Sequence, residues 1–209
     1  MADNDGAPSG RELLAVIVLS VTAVLTAWSG FESSKWGGEM SISFSQASTA
    51  RIEAARFDAQ TDAERGFDLN VFGVYVQAVA DEDERLQEFV ETRFTDHFQV
   101  AFDAWIAMDP LNNPDAPPGP FALPEYQPPG AALAAEADAR ANDLFAQALE
   151  NNQRGDDYTL LTVLFALVLF LTAVSQRLRS TVLTWTVIGG AIVLLVVGIG
   201  FLIAMPKII

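Results

Sequence analysis

Three long apolar runs stand out in an otherwise polar chain: residues 13–29, 158–175 and 181–205. None holds an Asp, Glu, Lys, Arg or His. A bilayer core of about 30 Å takes about 20 apolar residues in helical form, with roughly 17 to 25 tolerated, so each run is long enough to cross it. At a rise of about 1.5 Å per residue the third would reach about 36 Å, which predicts tilt or protrusion. The first run reads as an uncleaved signal anchor, because Leu25-Thr26-Ala27 is a poor small-x-small cleavage site.

Between the first and second runs the pattern changes to amphipathic helix. Met40 to about Arg65 is rich in Ala, Gln, Glu and Arg, and Gly66 predicts a break after it. Residues 68–80 form a second apolar stretch, read as helix because no alternating partner strand exists. Asp81 followed by Glu84 suits a capping box. It would start a helix over 82–108, in which Leu86, Phe89, Val90, Phe94, Phe98, Ala101, Phe102 and Trp105 recur at three- and four-residue steps. Residues 110–130 carry eight of the ten prolines, which predicts an extended strap at about 3.1 Å per residue. A further helix is expected over 131–153, with Gly155 as an interruption and Asp156 or Asp157 capping the second run. The fold class that follows is all-α and integral to the membrane. Three transmembrane helices carry an elongated extracytoplasmic helical bundle between spans one and two.

Charge sharpens this division. The 209-residue chain has a formal charge of −15, yet its mean hydropathy is +0.26. Residues 30–157 hold 24 of the 27 Asp and Glu and eight of the twelve Lys and Arg. Two explanations fit this acidic, lysine-poor surface: adaptation to high salt, or ordinary solubility through net charge. Orientation comes from Arg177 and Arg179, which crowd a link of only five residues, 176–180. Basic residues in short loops mark the cytoplasmic side. The expected plan is a cytoplasmic tail (1–12), span one (13–29), the acidic extracytoplasmic domain (30–157, with its strap at 110–130), span two (158–175), the cytoplasmic link (176–180), span three (181–205) and a tail (206–209).

Candidate chemistry is sparse. With no cysteine, disulfides, Fe–S clusters, thiol catalysis and Cys-based zinc sites are excluded. The acidity argues against nucleic acid as a partner. His97 is the only histidine and reads as an ordinary, partly buried or surface side chain. Glu84, Glu88 and Glu91 share a helix face but lack a calcium-loop pattern, so they read as a solvated face. No motif predicts a catalytic, cofactor or metal site.

Two other residue sets carry expectations. Trp28, Phe31, Lys35, Trp36, Tyr158 and Trp185 fall near predicted interfaces, where amphipathic side chains anchor. Thr22, Thr26 and Gly30 form a ridge in span one, and in span three Thr186, Gly190 and Gly198 read as sharing a face while Gly200 pairs with Ala204 four residues on; all are small residues of the kind that lets helices approach. They predict packing within the protein, in a homo-oligomer or against another membrane protein, with the lipid bilayer as surroundings.

The stretch Trp28-Ser-Gly-Phe-Glu-Ser-Ser-Lys-Trp-Gly-Gly38 resembles a segment of uncharacterised prokaryotic three-span membrane proteins. In that group the first span runs into Trp-Ser-Gly-aromatic-x-Ser/Ala-x-Lys/Arg-Trp-x-Gly. The resemblance implies the span-domain-span-span order and no activity. The expected function is therefore a non-catalytic scaffold or assembly subunit. An extracytoplasmic sensor module that needs a separate signalling partner, and an oligomeric channel subunit, are the alternatives.

Overall fold

The computed structural model describes residues 10–208. Among these residues it is all-helical. The helices are α1 (Gly10–Ala80), α2 (Glu84–Glu91), α3 (Asp96–Ile106), α4 (Pro129–Ser175) and α5 (Thr181–Ala204), with a short 3-10 turn at Pro120–Ala122. Three of them, α1, α4 and α5, are long and apolar enough to cross a membrane. Most of the tail predicted at 1–12, and Ile209, lie outside the described residues. The chain divides into two compact units, Met1–Phe44 with Phe145–Ile209, and Ser45–Leu144.

The first unit is built on a seam of small residues. Along α5 the buried positions are Thr184, Ile188, Ala191, Leu195, Gly198 and Leu202. Along α4 they include Tyr158, Leu161, Phe165, Val168, Thr172 and Ser175, and along α1 they include Ala15, Val18, Thr22, Ser29, Glu32 and Trp36. Steps that alternate between three and four residues keep a 3.5-residue seam facing a neighbouring helix. Hydroxyls on the seam are satisfied by their own helices: Thr22 donates to the Val18 carbonyl at 2.6 Å and Thr172 to the Val168 carbonyl at 2.8 Å. Gly198 meets the Phe165 ring, and Tyr158 reaches the Pro206 carbonyl at 2.9 Å. Later α5 positions therefore meet earlier α4 positions, as the five-residue link requires of an antiparallel hairpin. Many other large apolar side chains point outward, among them Val24, Leu160, Phe170, Val182, Val196 and Ile203. Water would penalise that arrangement, whereas lipid does not.

The packing set from the sequence is only partly on this seam. Thr22 and Gly198 are buried and Thr26 is half-buried. Gly30, Thr186, Gly190, Gly200 and Ala204 are exposed. Gly190 and Gly198 are eight residues apart, about 80° around a helix at 3.6 residues per turn, so they do not share a face. Gly155 is also not the expected interruption, since α4 runs through it. A Cβ there would make ordinary contact, 3.5 Å from the Ser33 carbonyl and 3.6 Å from the Trp36 Cβ, so a small residue packs against α1 at this point without breaking α4. Neither Asp156 nor Asp157 caps a helix start, because both lie inside α4.

The second unit departs further from expectation. Gly66 does not break α1, which runs unbroken from Gly10 to Ala80 and merges the helices expected at 40–65 and 68–80. A single glycine inside a helix costs about 1 kcal/mol, which packing along a helix of this length outweighs. Buried Ala47, Ala50 and Ala54 on α1 and Ala134, Ala137 and Ala141 on α4 make a narrow alanine seam. Across it Arg140 pairs with Glu53 at 3.1 Å and Arg51 donates to Asn142 at 3.3 Å. The single helix expected over 82–108 is two, because two residues cap separate starts. Asp83, not Asp81, accepts from the Leu86 N–H at 3.0 Å, and Thr95 accepts from the Phe98 N–H.

The proline segment is not an extended strap. It turns back on an aromatic cluster centred on buried Phe98, Phe102 and Trp105, with Phe72, Tyr75, Phe94, Phe121 and Tyr126 around them. Phe121 stacks on Phe98 at 5.1 Å, and the Trp105 indole donates to the Pro117 carbonyl at 2.7 Å. Proline lacks an N–H but keeps its carbonyl, so the segment can still cap a buried indole. Asp109 opens this turn with φ of 50°, a left-handed conformation that Asp tolerates better than most residues, and its carboxylate accepts from Asn112 at 3.0 Å.

The glycine seam makes a direct prediction. A Cβ on Gly198 would sit 2.6 Å from the fully buried Phe165 ring, whereas one on Gly190 meets nothing within 4 Å. Gly198→Ala should destabilise the detergent-solubilised protein by about 1–3 kcal/mol through overpacking, and Gly190→Ala should not. Parallel thermal melts of the two variants decide this.

Candidate functional site

Two buried polar clusters, one in each unit, depart from apolar packing. In the unit of residues 45–144, the cluster is organised by Asp68. It lies on the buried face of α1 and is fully inaccessible. Its Oδ2 accepts from His97 Nε2 at 2.8 Å and from the Tyr126 hydroxyl at 3.0 Å, and its Oδ1 accepts from the Thr95 hydroxyl at 2.8 Å. The His97 and Tyr126 rings lie 5.6 Å apart. One carboxylate thus ties α1 to the start of α3 and to the proline segment. Thr95 serves twice, donating to Asp68 while accepting from the first turn of α3. The pairing also holds the imidazole edge toward α1.

The electrostatics follow from burial. Tyr126 is pushed well above the usual tyrosine value near 10, first by burial, then by its hydrogen bond to Asp68 and by that group's charge. Tyr75 is raised as well, by burial first and by the charge of Glu91 second.

In the other unit, the cluster is Ser29, Glu32 and Trp36, successive positions on the α1 seam, all buried. Glu32 Oε2 accepts from the Ile208 N–H at 3.1 Å. Its second oxygen, the Ser29 hydroxyl and the Trp36 indole N–H have no protein partner. An acceptor, a donor and a group that does either are the complement of a bound water, which both donates and accepts. The Arg154 guanidinium lies 4.7 Å over the Trp36 ring.

The interface residues expected from sequence divide into two groups. Trp28, Phe31, Lys35 and Trp185 are exposed. Trp36 and Tyr158 are not, since both rings are buried in the protein's own core. Their apolar bodies fill seam positions between helices, and the phenol finds its acceptor on Pro206. Arg177 and Arg179 are exposed in the short link. Glu84 and Glu88 are exposed and Glu91 half-buried, and no metal-holding group of three or more His, Cys, Asp or Glu occurs among the described residues.

His97 is partly buried, and its partner is Asp68, 29 residues away. The available signal was an acid on the apolar face of a helix. Glu32 escaped for a different reason: it lies just past the end of the first uncharged run. No family model, curated protein or solved structure matches the chain.

Removing the Asp68 carboxylate takes the shared acceptor from three half-buried donors. Asp68→Ala should cost about 3–5 kcal/mol, whereas Asp58→Ala on the exposed face should stay within about 0.5 kcal/mol, both read from thermal or denaturant unfolding.

Alkali gives a second handle on the same cluster. A tyrosine whose folded value is raised keeps its proton after the unfolded chain has lost it. Its contribution to stability is complete below the unfolded value near 10 and falls as pH rises above it. Stability should therefore decline above about pH 10, and Tyr126→Phe should flatten that decline. Melts across this range, with phenolate absorbance followed alongside, check both.

Proposed function

We propose that this is a non-catalytic, multi-pass protein of the cell membrane that acts as a scaffold or assembly subunit. Residues 13–29, 158–175 and 181–205 cross the bilayer, with the link at 176–180 in the cytoplasm and residues 30–157 on the far side. Three helices apolar enough to span support the membrane part of this reading. The outward-facing Val, Leu and Phe side chains of the first unit suit lipid contact.

The observation that carries the assembly part is on α1 within the acidic unit. Phe67, Leu69, Val74 and Val76 are 43–50% exposed. Phe67 and Val74, seven residues apart, share one flank of the helix, and Leu69 and Val76 share the other. Large apolar side chains in rows on a water-facing surface mark a contact that another chain covers.

The chain has no cysteine, so single-cysteine variants report cleanly. Leu111→Cys, at an 82% exposed position, should react in intact cells with a membrane-impermeant maleimide, and Arg179→Cys should react only after lysis. In mild detergent the full chain should run as an oligomer or with a co-purifying partner, and Phe67→Glu with Val74→Glu should release the monomer. A wild-type particle that is strictly monomeric and partner-free overturns the assembly reading, and reversed labelling overturns the orientation.

A further inference from the structure

Beside the aromatic cluster, in the unit of residues 45–144, lies an open hollow of about 200 Å³. It is lined by Phe72, Tyr75 and Val76 of α1, by Trp105 of α3, and by Pro110 and Leu111 of the proline segment. We propose that this hollow binds a small organic cation with an apolar body, of the substituted-ammonium class.

Size comes first. A cavity of about 150 Å³ accepts benzene, so this one suits a molecule built around a single ring or a compact alkyl group. The lining comes second. No charged side chain lines the hollow. Trp105 spends its N–H on the Pro117 carbonyl, so what it offers here is ring surface. Its indole meets Phe72 edge-on at 5.4 Å, and Phe72 stacks with Tyr75 at 6.3 Å. Aromatic rings carry negative charge on their faces and attract ammonium groups there.

Charge decides between ligand classes. Residues 45–144 carry 19 Asp and Glu against six Arg, a formal charge of −13. That field repels anions and concentrates cations at an uncharged, apolar hollow. It reaches the lining itself, because the charge of Glu91 is felt at the Tyr75 hydroxyl. A neutral apolar molecule would gain from burial alone, whereas an alkylammonium gains from burial, ring faces and field together. This goes beyond the assembly reading and does not depend on it, since oligomeric state and ligand binding are read separately.

The test uses the full chain in zwitterionic lipid nanodiscs, with empty nanodiscs as the blank, by titration calorimetry. Three probes of similar size differ in charge: benzyltrimethylammonium, benzyl alcohol and benzenesulfonate. The expected order is the cation tightest, the alcohol about tenfold weaker and the sulfonate unbound, with cation affinity falling as salt rises. Leu111 lines the hollow, is 82% exposed and lies outside the apolar rows of α1, so Leu111→Trp fills the hollow without disturbing the core or those rows and should abolish binding. Val100→Trp, at an exposed position outside the lining, should not. Absence of cation binding overturns the proposal. So does equal or tighter binding of the alcohol, which marks a plain apolar pocket, and so does undiminished binding to Leu111→Trp.

Discussion

Close approach of helices is the constraint on which the first unit rests. Helices that touch along a 3.5-residue seam need small side chains, or well-fitted large ones, at every seam position. Thr22, Ser29, Ala191, Gly198 and Gly155 meet that need, and Phe165 fits against the bare face of Gly198. The seam buries these small residues and a few fitted large ones such as Phe165, Tyr158 and Leu195, and the other bulky apolar side chains point outward. In water that would be unstable; in hydrocarbon an outward Leu loses nothing, and packing alone holds the helices together. The same choice therefore explains both the interior and the exterior of this unit.

The acidic unit solves a different problem. Alanines along α1 and α4 bury little area each, so they leave most of the stabilisation to a localised aromatic cluster. Six side chains gather around Phe98, Phe102 and Trp105. Edge-on contacts such as Tyr75 with Phe102 at 4.9 Å add to area burial. Asp68 lies beside this cluster and satisfies three donors at once. Its position makes a buried charge tolerable, because every donor that faces it comes from an element the cluster already holds in place.

Glu32 is a contrast. It has one protein donor for two oxygens, and it shares its seam with an unpartnered hydroxyl and an unpartnered indole N–H. Fully satisfied networks such as that of Asp68 rigidify a core, whereas incompletely satisfied ones are places for solvent or function. The segment Pro206–Ile208 contributes to both sides of that region, through the Pro206 carbonyl and the Ile208 N–H.

Local pattern alone determined the three apolar runs, the tight link with Arg177 and Arg179, the helical class and the acidity of the middle of the chain. Each of these is a property of consecutive residues or of a short period. Tertiary structure decided the rest. The proline density of 110–130 excludes regular helix but says nothing of direction; the segment folds back because Trp105 needs an acceptor and Phe98 a stacking partner. Gly66 and Gly155 read as breaks when propensity is the only information, and packing overrides both. The partners of Asp68 lie 27, 29 and 58 residues away, and contacts at such separations leave no periodic trace along the chain. Which small residues face a neighbour was equally hidden, since Gly190 and Gly198 look alike in sequence. Only the phase of the seam puts one against Phe165 and the other outside.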